Sequence, residues 1–208
     1  MFANDRDLLV LEPNLFRDAG WAAQRLVNAT GSVAGATLTV PGADLVALGV
    51  GAGNIALLDG VALEVVARES ATTLTVSRIR AGPGDPLIPP PPATDRPVAV
   101  WTFLPQLAIV HEQLLRMLGI EPGQAGPGAL TESSVTNPRA LALAEALGAL
   151  HLVFAGAGGS GAPEAGRAGF YAARYEAERR RVGAAIDLDG DGHPDCVRRL
   201  NVTQVFRV

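Results

Sequence analysis

The stretch Asp187-Leu188-Asp189-Gly190-Asp191-Gly192-His193-Pro194-Asp195 gathers the residue types best suited to binding chemistry. Asp187, Asp189, Asp191 and Asp195 occupy positions 1, 3, 5 and 9 of an EF-hand-like loop, with Gly192 at position 6. Alternate residues of a tight loop converge their oxygens on a hard cation, and glycine permits the bend. The carbonyl of His193 falls at position 7. Position 12 is Arg198, where an EF-hand carries a bidentate glutamate, and residues 197–203 read as a strand, not an exiting helix. Two outcomes follow. One is a reduced calcium loop built on Asp187, Asp189, Asp191 and Asp195. The other is a metal-free turn in which the Asp side chains cap the loop's own amides.

Other constellations carry less chemistry. Gly156, Gly158 and Gly161 satisfy G-x-G-x-x-G, but the preceding run Leu150–Phe154 continues a helical pattern and no second strand follows. An interhelical loop is expected there. Ser160 sits one residue short of a nucleophile elbow. His111, His151 and His193 are far apart, and His111-Glu112 lacks the second histidine of a zincin. His111 and His151 are expected to be partly buried helix residues, and no catalytic role is assigned. The chain is expected not to be an enzyme.

The elements that hold these residues can be read from periodicity. Residues 12–27 predict an N-terminal helix, with Pro13 in its first turn and Leu15, Ala19, Ala22, Ala23 and Leu26 as its stripe. Residues 31–80 alternate in short runs, 36–40, 61–65 and 73–77, and Asp59-Gly60 marks a hairpin. Four or five strands forming a small antiparallel barrel or sandwich are expected. Residues 81–97, with Pro89 to Pro92, read as an extended linker or arm. Helices are predicted over 103–119, 138–155 and 163–183. The acidic loop and a β-like tail complete residues 187–208.

The expected fold class is α+β. It comprises a C-terminal helical bundle over 98–186, an N-terminal helix within 1–30 packing on it, an inserted β module at 31–80, and an extended C-terminal arm.

Composition narrows the function classes. The 208 residues are 48% hydrophobic and 18% charged, which argues against wholesale disorder. Mean hydropathy is +0.23, yet the longest uncharged runs, 26–43 and 146–163, are broken by Gly, Pro or polar residues. No membrane span is expected. The charged start Asn4-Asp5-Arg6-Asp7 does not fit a signal peptide. Cys196 is the only cysteine, which excludes an internal disulfide and a cysteine-based zinc site. All 17 basic residues are arginine, a bias that fits a GC-rich genome, and the formal net charge is −4. That charge gives no general case for nucleic-acid affinity. Arg179-Arg180-Arg181, with Arg198 and Arg199, is the densest positive cluster.

The C-terminal half resembles the head–tail adaptor, or connector, proteins of tailed bacteriophages and gene transfer agents. The residues carrying the resemblance are Phe103–Leu107 to Ile120, Asn137–Leu141 to Phe154, and the helix Phe170–Glu178 running into the acidic loop and a basic tail. The resemblance implies a non-catalytic virion protein of the neck, made in the bacterial cytoplasm. It implies a ring of about twelve copies beneath the portal protein. Such a ring extends the channel for double-stranded DNA and docks a stopper or tail-terminator protein. The tail is apolar and β-branched, so Arg198, Arg199, Leu200, Val202, Val205, Phe206 and Val208 are the expected partner-binding residues. The alternative expectation is a calcium-dependent binding module that uses the Asp187–Asp195 loop.

Overall fold

The structure is a computed structural model that describes residues 1–123, 126, 128–156 and 163–200. It divides into two units, one of residues 4–104 and one of residues 1–3 with 105–208.

The first unit is built on a closed antiparallel barrel. Its strands are β1 (Gln24–Ala34), β2 (Thr37–Thr39), β3 (Ile55–Leu58), β4 (Val61–Arg68), β5 (Thr73–Ser77) and β6 (Ala93–Thr102), in the spatial order β1-β2-β5-β4-β3-β6. Alternation decides which side chains enter. Leu38 is buried between exposed Thr37 and Thr39, and Leu74 and Val76 point in on β5. They meet Val27, Val33, Leu63, Val65, Val98 and Val100 in one core. Asp59 (φ +50°) and Gly60 (φ +81°) form the two-residue turn of the β3–β4 hairpin, with Leu58 opposite Val61. Gly31 marks a close crossing of chains. A Cβ there would lie 2.7 Å from the Thr39 carbonyl oxygen and 2.9 Å from Val98 Cγ2.

Two short helices, α1 (Asp5–Leu11) and α2 (Leu15–Asp18), precede the barrel. Asn4 caps α1 in a reciprocal capping box with Asp7. Buried polar groups fasten α1 to the barrel. Arg6 Nε donates to Glu64 Oε2 at 2.6 Å, and Arg80 Nε donates to Glu64 Oε1. Arg80 Nη1 also donates to the Asp85 carbonyl at 2.7 Å. Asp5 is 2% exposed and accepts from the Phe103 amide at 2.7 Å and from Asn54 Nδ2 at 3.0 Å. Burial pushes its carboxyl up to about 6, although the Phe103, Thr102 and Asn54 donors pull the other way.

The second unit holds α3 (Leu104–Met117, from its second residue), α4 (Ala142–Gly156) and α5 (Pro163–Arg181). Turns of 3-10 helix lie at Glu132–Ser134 and Pro138–Ala140. α4 is apolar nearly all round and is buried accordingly. Its Gly148 lets three helices approach, because a Cβ there would lie 2.7 Å from Val110 Cγ1 and 3.2 Å from Tyr175 Cε2. Phe154 and Tyr171 stack with ring centres 5.6 Å apart, and His151 Nδ1 lies 3.1 Å from the Ala168 carbonyl oxygen. A hairpin of β7 (Gly183–Ile186) and β8 (Cys196–Arg199) follows α5.

Several expectations are corrected. The chain is α+β with the closed six-strand barrel as its main sheet, not a C-terminal helical bundle carrying a small insert. The expected helix over 12–27 is one turn, α2, in which Leu15, Phe16 and Ala19 are buried. From Gln24 the chain is strand, because pairing of β1 with both β2 and β6 outweighs the alanine-rich helical stripe. Residues 4–30 belong to the barrel's unit, not to the helical one. The expected arm at 81–97 is extended through Pro89–Pro92 but enters β6 at Ala93, and β6 closes the barrel. The helices expected over 103–119, 138–155 and 163–183 appear as α3, α4 and α5 with small boundary changes. The glycine loop with Gly158, Ser160 and Gly161 lies outside the described residues. No helix among the described residues is long and apolar enough to cross a membrane.

Candidate functional site

The Asp187–Asp195 loop is the connection of the β7–β8 hairpin. Ile186 faces Cys196 in the ladder, and the Asp195 amide donates to the Ile186 carbonyl at 2.8 Å, so the loop's ends are fixed. Gly190 (φ +81°) and Gly192 (φ +85°) take the left-handed conformations that bend the loop back on itself. That fold wraps the chain around Asp187. Its Oδ1 accepts from the Gly190 amide at 2.7 Å and its Oδ2 from the Gly192 amide at 2.8 Å. These amides, Gly192 foremost, hold its carboxyl below the usual aspartate range against the opposing effect of burial.

The other carboxylates cap locally. Asp189 Oδ1 accepts from the Asp191 amide at 3.2 Å, Asp191 Oδ1 from the His193 amide at 2.7 Å, and Asp195 Oδ2 from the Leu188 amide at 2.7 Å. Carboxylate oxygens of Asp187, Asp189 and Asp195 lie within 4.8 Å of one another. Asp191 is not of that trio. The loop thus combines amide capping with three oxygens placed where a hard cation could draw on them. Position 12 supplies no ligand: Arg198 instead donates Nη1 to the Leu118 carbonyl.

The expected partner-binding residues separate. Arg198 and Arg199 are in β8, half-buried and exposed respectively. Leu200 is 2% exposed. Val202, Val205, Phe206 and Val208 lie outside the described residues. β7 is covered on its outer side, since Val135 bridges Ile186 and the Asn137 side chain bonds both the Ala185 amide (2.8 Å) and the Gly183 carbonyl (3.1 Å). β8 has no strand on its outer side among the described residues, and Val197 at its centre is 68% exposed.

A second polar cluster was not legible in the sequence. His111, 6% exposed on α3, has Nδ1 3.1 Å from Glu145 Oε2 and Nε2 3.1 Å from Glu132 Oε2. The Phe2 amide donates to Glu145 Oε2 at 2.9 Å, and the Phe2 ring centre lies 4.7 Å from that of His111. Burial pushes the Glu132 carboxyl up, but the α-ammonium of Met1 and His111 outweigh it and hold it low. His111 thus ties α3 to α4 through Glu145. His193 is exposed in the acidic loop, and the one candidate metal cluster among the described residues contains no histidine.

No protein-family model matches the chain, and neither does any curated protein or solved structure.

Proposed function

We propose that this chain is a structural protein of a virion neck, a head–tail adaptor that docks its neighbours by strand addition. What supports the reading is the open outer side of β8, which carries the exposed Val197 directly ahead of the apolar sequence 200–208. An open strand edge pairs with a partner's sheet through main-chain hydrogen bonds, and alternate side chains add specificity. The partner is a portal protein, with a stopper or tail terminator on the far side. Copies form a ring whose lumen passes double-stranded DNA without tight binding, a role suited to a net charge of −4. The test is electron microscopy of the full chain mixed with a portal ring. A ring seated under the portal is expected; portal rings that remain bare at saturating protein would sink the reading.

A second reading is favoured by the convergence of Asp187, Asp189 and Asp195 within 4.8 Å. On this reading the hairpin loop is a calcium-dependent binding element. Calcium then raises the melting temperature and a chelator reverses the rise. A melting curve indifferent to both removes it.

A further inference from the structure

α5 shows water far more of its surface than it hides. Tyr171, Tyr175 and Glu178 form its buried stripe. Phe170, on the outer face, is 56% exposed, and the Arg174 guanidinium lies 5.4 Å from its ring centre. An exposed aromatic ring braced by a guanidinium is costly to leave in water and suits a contact. Arg180 is exposed further along the same helix. Arg179 and Arg181 are ion-paired with Glu176 and Glu178, but Arg174 and Arg180 have no carboxylate partner among the described residues.

The same unit carries the complementary surface. In the 187–195 loop, Leu188 is 46% exposed and flanked by aspartates. Asp189 and Asp191 each use Oδ1 to accept a loop amide, which leaves each Oδ2 to accept from outside. Within one chain the two surfaces are left open: Phe170 is 56% and Leu188 46% exposed, and no ion pair joins Arg174 or Arg180 to a loop aspartate among the described residues.

We propose that the outer face of α5 is a docking surface for a second copy of this chain. The neighbour's Leu188 packs against Phe170, and its Asp189 and Asp191 pair with Arg174 and Arg180. Charge complementarity favours this occupant over nucleic acid. Among residues 105–208, 10 arginines face 11 carboxylates, so this stretch of sequence offers phosphate no net attraction. The two surfaces are different patches, so the contact is head-to-tail, the kind that closes into rings or runs on as filaments. It is separate from the β8 edge and stands whether or not the assembly sits on a portal.

The test is a charge swap on the full chain in chelator at low salt, read by analytical ultracentrifugation. The pair Arg174→Glu/Arg180→Glu and the pair Asp189→Arg/Asp191→Arg are each expected to weaken self-association at least tenfold. Circular dichroism melting within a few degrees of wild type shows that the variants fold. An equimolar mixture of the two variants is expected to recover assembly, with the two variants alternating in equal numbers, because each supplies the partner the other has lost. A wild-type chain that stays monomeric, or variants that associate as wild type does, would overturn the proposal. So would failure of the mixture to recover. Duplex DNA bound by wild type and lost in Arg174→Glu/Arg180→Glu, with self-association untouched, would overturn it in favour of a phosphate ligand. Portal docking is scored separately, so the adaptor reading and this contact fail by different results.

Discussion

Arg6 of α1 donates to Glu64 of β4 across 2.6 Å, with both side chains almost wholly removed from water. Arg80 reaches the other oxygen of the same carboxylate. One carboxylate therefore balances two buried guanidinium groups from distant parts of the chain. Glu64→Gln preserves the shape and removes the charge. It is expected to cost about 3–5 kcal/mol, because Arg80 stays buried without an anion and Arg6 keeps only Asp7, 3.6 Å away. Urea denaturation of the variant checks this, and a change below about 1 kcal/mol would show that water reaches the cluster.

Burial of Asp5 gives stability a pH dependence whose sign follows from its raised carboxyl. Its carboxyl is raised to about 6 in the folded chain against an ordinary 3.8. The folded state thus binds the proton more readily, so the stabilisation is full below about 3.8 and is lost as pH rises through about 6. The full span is about 3 kcal/mol. Asp5→Asn cannot titrate. Its stability relative to wild type is expected to fall as pH is lowered from 7 to 4, measured by denaturation at each pH. A constant difference across that range would contradict the assignment.

The acidic loop separates structure from metal binding by residue. Asp187 holds two loop amides and is kept ionised by them. Its contribution is present above the ordinary aspartate range and is lost as pH falls through its lowered value. Asp187→Asn is therefore expected to lower the melting temperature at neutral pH even in chelator. Asp189→Asn should leave the chelated protein nearly unchanged and abolish any calcium-dependent rise. Equal effects of the two substitutions in chelator would refute this division.

Gly148 is the contact point of α3, α4 and α5. Gly148→Ala adds a methyl group where Val110 stands 2.7 Å away. The helix propensity gain of about 1 kcal/mol is expected to be outweighed by overpacking of about 1–3 kcal/mol. Thermal melting of the variant reads the net sign, and a stabilised variant would show that Val110 yields freely.

Val197 sits at the centre of β8 and is 68% exposed. Val197→Asp is expected to leave the melting temperature within a few degrees of wild type while reducing portal docking at least tenfold, as counted by electron microscopy. Unaltered docking would place the contact elsewhere.

Much of the second unit could be read from residue spacing. Leu107, Val110, Leu114 and Leu118 share one helical face, and they are buried in or just after α3. Asp59-Gly60 announces its hairpin because few residues other than glycine, asparagine and aspartate tolerate positive φ there. The N-terminal segment misleads because Ala19, Ala22 and Ala23 fit a helix, while the partner that makes Gln24–Ala34 a strand arrives some seventy residues later, in β6. β6 is itself disguised by Pro89–Pro92 just before it. The EF-hand-like spacing placed the loop, but not that Asp191 turns to the His193 amide and leaves three converging carboxylates. Arg6, Glu64 and Arg80 carry no local signature, and neither do His111 and Glu145, 34 residues apart. Pairings of that kind depend on tertiary placement, and periodicity carries no record of it.

Closure of the barrel has a consequence for how the protein behaves in a crowded cell. Six strands rich in valine, leucine and threonine are the material from which fibrils grow, and a sheet left open offers a template for the next molecule. With β1 joined to β2 on one side and β6 on the other, every barrel strand already has two neighbours. Among the described residues, the four of β8 are where another chain can still extend a sheet. Among the described residues, the capacity for strand exchange is therefore confined to one short hairpin.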